Sequence, residues 1–265
     1  KREHTLGGFI RNKFSKTLVI ASPGNGSLSN LASLVEYLSD KKPSVVLWFF
    51  YAGNDLLEQN SERQQFEILN KYVDEENFKQ NLKLYQKEID KHLINIAEKE
   101  NPESLKSRAR EIILFFAFEH LLTDLTTIIF KIVRKYSADV SNQINKSNPQ
   151  FEREYLIKVL LKAKGIVDKW SGKFITVYIP NQTEMFVKQI PDHYLITNEI
   201  FNELMSQNNI NNIDIVSKLK KEKNIKGLYA LDMPIGKYGS SHFDQDGYKK
   251  ISEIVLEDLK NKYNF

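Results

Sequence analysis

The segment Ser22-Pro23-Gly24-Asn25-Gly26 places two glycines just ahead of a helical pattern. A glycine-rich turn between a strand and a helix can present backbone N–H groups to an anion. No Gly-Lys-Ser/Thr follows it, and the full dinucleotide-binding fingerprint is absent, so the segment is not a phosphate loop of either kind. By itself it predicts either an anion-binding turn at Gly24 and Gly26 or an ordinary tight turn.

A second turn, Tyr51-Ala52-Gly53-Asn54-Asp55, follows the most hydrophobic run of the chain. Ligands of open parallel sheets bind outside the carboxyl ends of the strands, where Asn54 would project an amide N–H donor. Asparagine is also common as a helix cap and in tight turns. The position therefore predicts either a hydrogen-bond donor to a ligand or a cap.

A third segment, residues 240–248, reads Ser-Ser-His-Phe-Asp-Gln-Asp-Gly-Tyr and precedes the apolar pattern of a terminal helix. A loop histidine held by a short turn at the start of a helix is suited to act as a general base. The alternative for His242 is a surface histidine without a role. That second interpretation applies to the other four histidines: His4, His92, His120 and His193.

The elements that would position these turns are apolar runs rich in β-branched and aromatic residues. Their lack of alternation predicts strands of a parallel sheet with helices on both faces. A stripe of apolar residues over 28–38 predicts a helix, so 17–51 is expected to form a βαβ unit. The expected strands are 17–22, 44–51, 173–179 and, more weakly, 227–231.

Residues 58–169 are rich in charged residues and poor in glycine, a composition that is compatible with long helices. Residues 142–150 are polar and rich in asparagine, and we expect them to form a loop. The most apolar stretch, 110–133, carries Glu119, His120 and Asp124 well inside it, which argues against a membrane span. We expect it to be a helix packed on the domain. The helices predicted in this region are 66–73, 78–97, 104–135 and 151–170.

Composition excludes several classes of protein. The 265 residues include no cysteine, so disulfide scaffolds, thiolate zinc sites, iron–sulfur clusters and cysteine nucleophiles are ruled out. The net charge of +4 is too small and too dispersed to predict nucleic-acid binding. No cluster of carboxylates and histidines has the spacing of metal ligands, so neither a metal nor a cofactor is expected.

Taken in order, the glycine turn, Gly53-Asn54-Asp55 and the His-x4-Gly-Tyr of residues 242–248 resemble the SGNH (GDSL-type) hydrolase family. The local sequence of residues 24–37 and 46–56 is similar to one bacterial branch of the family. The resemblance covers 17–57 and 162–258. It implies a flavodoxin-like, three-layer α/β fold with a parallel sheet, forming one domain over 1–265 with a large helical insertion or cap over 58–169.

The resemblance also implies hydrolysis of a small-molecule or carbohydrate ester through a serine acyl-enzyme. Gly24 or Gly26 would give a backbone N–H to the oxyanion hole, and Gly24 is preferred because it lies nearer the strand end. Asn54 would give its side-chain N–H to the same hole. His242 would take the proton of the nucleophile and return it to the leaving group.

The chain departs from the family at the acid that orients the histidine. The family has an aspartate three residues before the histidine, and here that position is Gly239. Asp232 is the nearest upstream acid, and Asp244 and Asp246 are downstream alternatives, although Asp246 is also suited to cap the last helix. A Ser–His dyad and a backbone carbonyl that orients the ring remain further alternatives.

The chain also lacks the Gly-Asp-Ser motif that carries the family's nucleophile. Residues 5–14 resemble the helix that follows this motif, so we expect the chain to be truncated just after it, with the serine upstream of Lys1. Ser22 is not expected to replace it. Two alternatives stay open: an O-acyltransferase acting on envelope polysaccharide, and a serine-less binding module. A location in the cell envelope would follow if a signal or anchor precedes Lys1; this chain itself shows no membrane association and no oligomeric state.

Overall fold

The computed structural model describes residues 2–22, 24–100, 148–186, 196–230 and 242–263. Two units make up the chain. The first, here called the sheet unit, consists of residues 1–19, 42–56 and 149–265, and the second, the helical unit, of 20–41 and 57–148. Residues 149–169 of the predicted insertion thus fall in the sheet unit, and the prediction of a single domain over 1–265 stays a prediction.

The sheet has three parallel strands in the order β1-β2-β3: β1 is Val45–Tyr51, β2 is Lys173–Ile179 and β3 is Asn211–Ile213. Val45 pairs with Lys173 and Tyr51 with Ile179. The expected strands 44–51 and 173–179, the parallel pairing and the mixed α/β class are therefore confirmed. The parallel register brings the carboxyl ends of β1 and β2 to the same edge of the sheet.

Ten α-helices lie in the described residues. Short 3-10 turns occur at Arg2–His4, Leu82–Tyr85 and Ile225–Leu228. The helices are α1 Leu6–Lys13, α2 Ser27–Ser33, α3 Asp55–Gln65, α4 Glu67–Asp74, α5 Gln86–Glu100, α6 Pro149–Asp168, α7 Gln182–Phe186, α8 Asn198–Gln207, α9 Val216–Leu219 and α10 Gln245–Tyr263.

Successive side chains of β2 point to opposite faces of the sheet. Helices cover both of these faces. On one side Ile175 and Val177 pack against Ile251 and Val255 of α10, in a cluster that also contains residues of β3 and α9. On the other side an aromatic cluster joins Phe50 of β1, Tyr178 of β2 and Phe201 of α8, with ring centroids 5.1–6.0 Å apart. A strand buried on both faces is typical of α/β folds.

Residues 17–22 were predicted as a strand, and this prediction is wrong. They form no strand in the structure, and Leu18 and Val19 are 51% and 37% exposed. The carbonyl of Thr17 accepts a hydrogen bond from Nε of Arg11, 3.2 Å away, instead of joining a ladder. Without this strand the expected βαβ unit over 17–51 is not formed.

The weaker strand predicted over 227–231 is also absent from the described residues, which end at 230 in this region. The 3-10 turn Ile225–Leu228 occupies its start. Tyr229 then makes a single antiparallel bridge to Phe243, outside the three-stranded sheet. The backbone of this segment therefore hydrogen-bonds to residues 242–244 and not to the sheet.

In the helical unit, α2 continues into a π-helical turn at Leu34–Leu38, so the helix predicted over 28–38 is confirmed. The buried carboxylate of Glu36 in this turn accepts hydrogen bonds from Tyr72 Oη (2.7 Å), Gln80 N (2.7 Å) and Leu82 N (2.8 Å). These bonds tie α2 to α4 and to the chain before α5. Helices predicted over 66–73 and 151–170 are confirmed as α4 and α6.

The helix predicted over 78–97 begins later than expected, because Leu82–Tyr85 is a 3-10 turn and α5 starts at Gln86. The predicted helix 104–135, including the apolar stretch 110–133, lies outside the described residues, as does most of the loop predicted over 142–150. None of the described helices combines the length and the apolar character needed to cross a bilayer.

Replacing Phe201 by Ala should destabilise the sheet unit by about 3–5 kcal/mol, because the ring is fully buried between two aromatic neighbours. The change can be measured as a lower urea midpoint. Leu161→Ala on α6 is the control, since Leu161 is 41% exposed and its truncation should cost about 0.5 kcal/mol or less. Equal losses for the two variants would contradict this account of the core.

Candidate functional site

The carboxyl end of β1 leads into a tight turn of residues 52–54. The turn is held at both ends: Ala52 N donates to the Ile179 carbonyl at 2.9 Å, and Tyr51 N donates to Asp55 Oδ2 at 2.8 Å. Asn54 is half-buried there, directly before α3. Its place is compatible with both interpretations offered by the sequence, a donor at the edge of the sheet and a helix cap.

Gly53 is required by a close approach. A Cβ at this position would overlap ring atoms of Tyr51, so the backbone of the turn lies directly on the phenol ring. Tyr51 is paired with Ile179 and packs on the side of the sheet that α10 covers. The last residue of β1 therefore projects its ring toward the loop that precedes α10.

His242 lies in that loop, against the same ring. The imidazole stacks on Tyr51 with 4.5 Å between ring centroids and 27° between planes. This is the offset-stacked geometry that aromatic pairs favour, and such pairs contribute about 0.5–1.5 kcal/mol beyond the area they bury. His242 as a whole is an exposed residue. Partial desolvation lowers the pKa of its imidazole, which favours the neutral form that a general base requires.

Two backbone hydrogen bonds between residues 228–230 and 242–244 fix the backbone around His242. Ala230 N donates to the His242 carbonyl and Asp244 N donates to the Leu228 carbonyl, each at 3.0 Å. Between these bonds the rings of Tyr229 and Phe243 stack with 4.1 Å between centroids. Both rings are buried, so residues 229 and 243, next to His242, are anchored in the core of the sheet unit.

Asp244 begins α10. Its Oδ1 accepts a hydrogen bond from Gly247 N at 2.8 Å, which is the bond of a helix cap. The capping role expected for Asp246 thus belongs to Asp244, and Asp246 lies in the first turn, where an acidic side chain favours the helix dipole. Asp232 and Gly239 lie outside the described residues.

A buried polar group that the sequence analysis missed lies at the carboxyl end of β2. Tyr178 Oη donates to Glu184 Oε2 at 2.6 Å, and Asn198 N donates to Glu184 Oε1 at 2.6 Å. Burial raises the pKa of both Tyr178 and Glu184. These bonds tie α7 and α8 to the sheet. No signal in the sequence distinguishes Glu184 from the many other acidic residues of helical segments.

In the helical unit, Gly24 has a left-handed backbone with φ of 81°. Gly26 precedes α2, and its N–H donates to Glu62 Oε1 at 2.8 Å. Glu62 Oε2 accepts from Leu28 N (3.0 Å) and Ser29 N (3.3 Å), so a buried side chain of α3 caps this helix. A Cβ on Gly26 would overlap the backbone of α3. The acceptor held by this turn is thus a carboxyl group of the protein itself.

The structure therefore brings two of the expected site residues to one edge of the sheet unit. Gly53, in the turn that carries Asn54, and the imidazole of His242 both contact the ring of Tyr51. Gly24 and Gly26 belong to the helical unit. Within the described ranges, no three His, Asp or Glu side chains come together as a metal site.

Comparisons of this chain with family models, with curated proteins and with solved structures yield no match. The family resemblance therefore rests on the ordered motifs alone.

We expect Glu62 to make stability depend on pH. Burial raises the pKa of Glu62 from 4.5 to about 7, with the backbone hydrogen bonds acting in the opposite direction. Between these pH values the folded protein holds a proton that the unfolded chain releases. The contribution is therefore present below pH 4.5 and is lost as the pH rises through about 7. It amounts to about 3 kcal/mol.

The measurement is chemical unfolding of the wild type and of Glu62→Gln between pH 4 and pH 8. Glu62→Gln keeps an oxygen acceptor without a titrating group, so the wild type should lose stability relative to this variant as the pH rises. A wild type that gains stability over Glu62→Gln on the same rise would show a charged carboxylate stabilised by its donors, contrary to this prediction.

Proposed function

We propose that this protein is an ester hydrolase of the SGNH type that works through a serine acyl-enzyme. The observation that carries the proposal is that Gly53, the residue before Asn54, and the imidazole of His242 both contact the Tyr51 ring. An amide donor and a histidine with a lowered pKa at the carboxyl edge of a parallel sheet suit acyl transfer. We further propose that the sheet belongs to a flavodoxin-like fold, which the helices on both faces of β2 support.

In the proposed reaction the hydroxyl oxygen of a serine attacks the ester carbonyl carbon while His242 accepts the hydroxyl proton. The carbonyl oxygen becomes an oxyanion, which accepts hydrogen bonds from the Asn54 side-chain N–H and from a backbone N–H. The intermediate collapses, the bond to the alcohol breaks, and His242 gives its proton to the leaving oxygen. Water then attacks the acyl-enzyme by the same route, releasing the acid and restoring the serine.

For the backbone donor, the family resemblance implies Gly24 or Gly26, of which Gly24 is preferred. The N–H of Gly26 already donates to Glu62, so it would have to leave a buried carboxylate to serve an oxyanion. The left-handed backbone of Gly24 is a conformation that glycine adopts without strain. This assignment and the serine, which is expected in the residues that precede Lys1, both come from the family resemblance.

Asn54→Ala and His242→Ala test the proposal in the natural protein, expressed with whatever residues precede Lys1. Loss of one oxyanion donor should lower kcat by about 100- to 1,000-fold, and loss of the general base by about 100- to 10,000-fold. The assay is hydrolysis of short p-nitrophenyl esters, with and without a sugar acceptor.

His92→Ala and Asn95→Ala on α5 are matched controls, because both side chains are exposed and neither should change the rate. Release of p-nitrophenol that depends on the sugar would identify an acyltransferase instead. A folded protein with no esterase activity, or one whose activity survives both site substitutions, would rule out the proposed reaction.

A further inference from the structure

The Tyr51 ring makes two close contacts within the sheet unit. The backbone of Gly53 lies so close to it that a Cβ would overlap the ring. The His242 imidazole stacks on it with centroids 4.5 Å apart. At the backbone end, Tyr51 N donates to Asp55 Oδ2 at 2.8 Å, and the residue is paired in register with Ile179. The ring is therefore part of the rigid edge of the sheet.

His242, in contrast, depends on its surroundings for orientation. Its backbone is fixed by the hydrogen bond from Ala230 N to the His242 carbonyl. An imidazole on a fixed backbone still has two rotatable torsions, χ1 and χ2. Stacking against a rigid ring fixes the plane of the imidazole and leaves only a half-turn about the Cβ–Cγ bond, which exchanges each ring nitrogen with a ring carbon. Asp244, two residues away, is engaged in capping α10.

We propose that Tyr51 is a positioning residue, which holds the imidazole plane of His242 through the stacking of the two rings. The inference rests on the proposed function in so far as His242 is the general base. A general base must stay within hydrogen-bond reach of the proton that it takes, and small displacements of catalytic groups cost about 100-fold in rate. The aromatic ring of Tyr51, not its hydroxyl, makes this contact.

The test is a proton NMR titration of the 265-residue chain. The His242 signals are identified by their disappearance in His242→Ala, and nuclear Overhauser contacts between the Tyr51 and His242 rings should be present in the wild type. Tyr51→Leu removes the ring that shields one face of the imidazole, so the titration midpoint of His242 should shift upward. Tyr51→Phe keeps the ring and should leave the midpoint unchanged.

Tyr85→Leu is the matched control, because Tyr85 is 57% exposed beside α5, and it should leave the His242 signals unchanged. Gly53→Ala is a second variant for the case in which Tyr51→Leu does not fold. Its methyl group would displace the Tyr51 ring, so the same upward shift is expected. Absence of the ring-to-ring contacts in the wild type, or an unshifted midpoint in folded Tyr51→Leu, would overturn the inference.

Activity separates this inference from the proposed function. In an active natural protein, Tyr51→Leu should lower kcat by about 100-fold with little change in KM, and Tyr51→Phe should keep most of the activity. An active enzyme in which Tyr51→Leu changes neither kcat nor the His242 midpoint would overturn the positioning role alone. A protein without esterase activity whose His242 midpoint still responds to Tyr51→Leu would overturn the hydrolase while leaving the contact in place.

Discussion

The parallel register of β1 and β2 pairs Tyr51 with Ile179, and the geometry of the candidate site depends on that pairing. Because the register is parallel, both strands end at one edge, and because side chains alternate, Tyr51 points to the side that α10 covers. The loop before α10 carries His242 and is anchored by the buried pair Tyr229 and Phe243. A shift of one residue in the register would turn Tyr51 to the opposite face and remove the contact.

How much of this could be predicted from the sequence differs between long-range and local features. The runs that form β1 and β2 are rich in β-branched and aromatic residues, and this composition predicted both strands correctly. Residues 17–22 carry a similar pattern, yet a strand also needs a partner, and the Thr17 carbonyl bonds to Arg11 instead. β3 has three residues, two of them asparagines, which is too short and polar to give a signal.

The two glycine turns show why the motif residues were easier to find than their partners. Glycine in a turn can mark a close approach, and Gly26 and Gly53 are both closely approached by other groups. The groups that approach these glycines carry no such signal. Glu62 lies 36 residues after Gly26, and Tyr51 is one aromatic residue among many. Gly26 is covered by α3 and gives its N–H to Glu62, whereas Gly53 lies on the ring of Tyr51. The first contact makes a buried cap, and the second supports the residue proposed as the base.

The central claim is that His242 activates a serine nucleophile, and a fluorophosphonate that phosphonylates activated serines tests it most directly. The natural protein, with any residues that precede Lys1, would be treated with this reagent and the modified peptide identified by mass spectrometry. The account predicts that one serine upstream of Lys1 is labelled, that His242→Ala abolishes the labelling and that His92→Ala does not. Labelling at Ser22, or labelling that His242→Ala leaves intact, would contradict the claim.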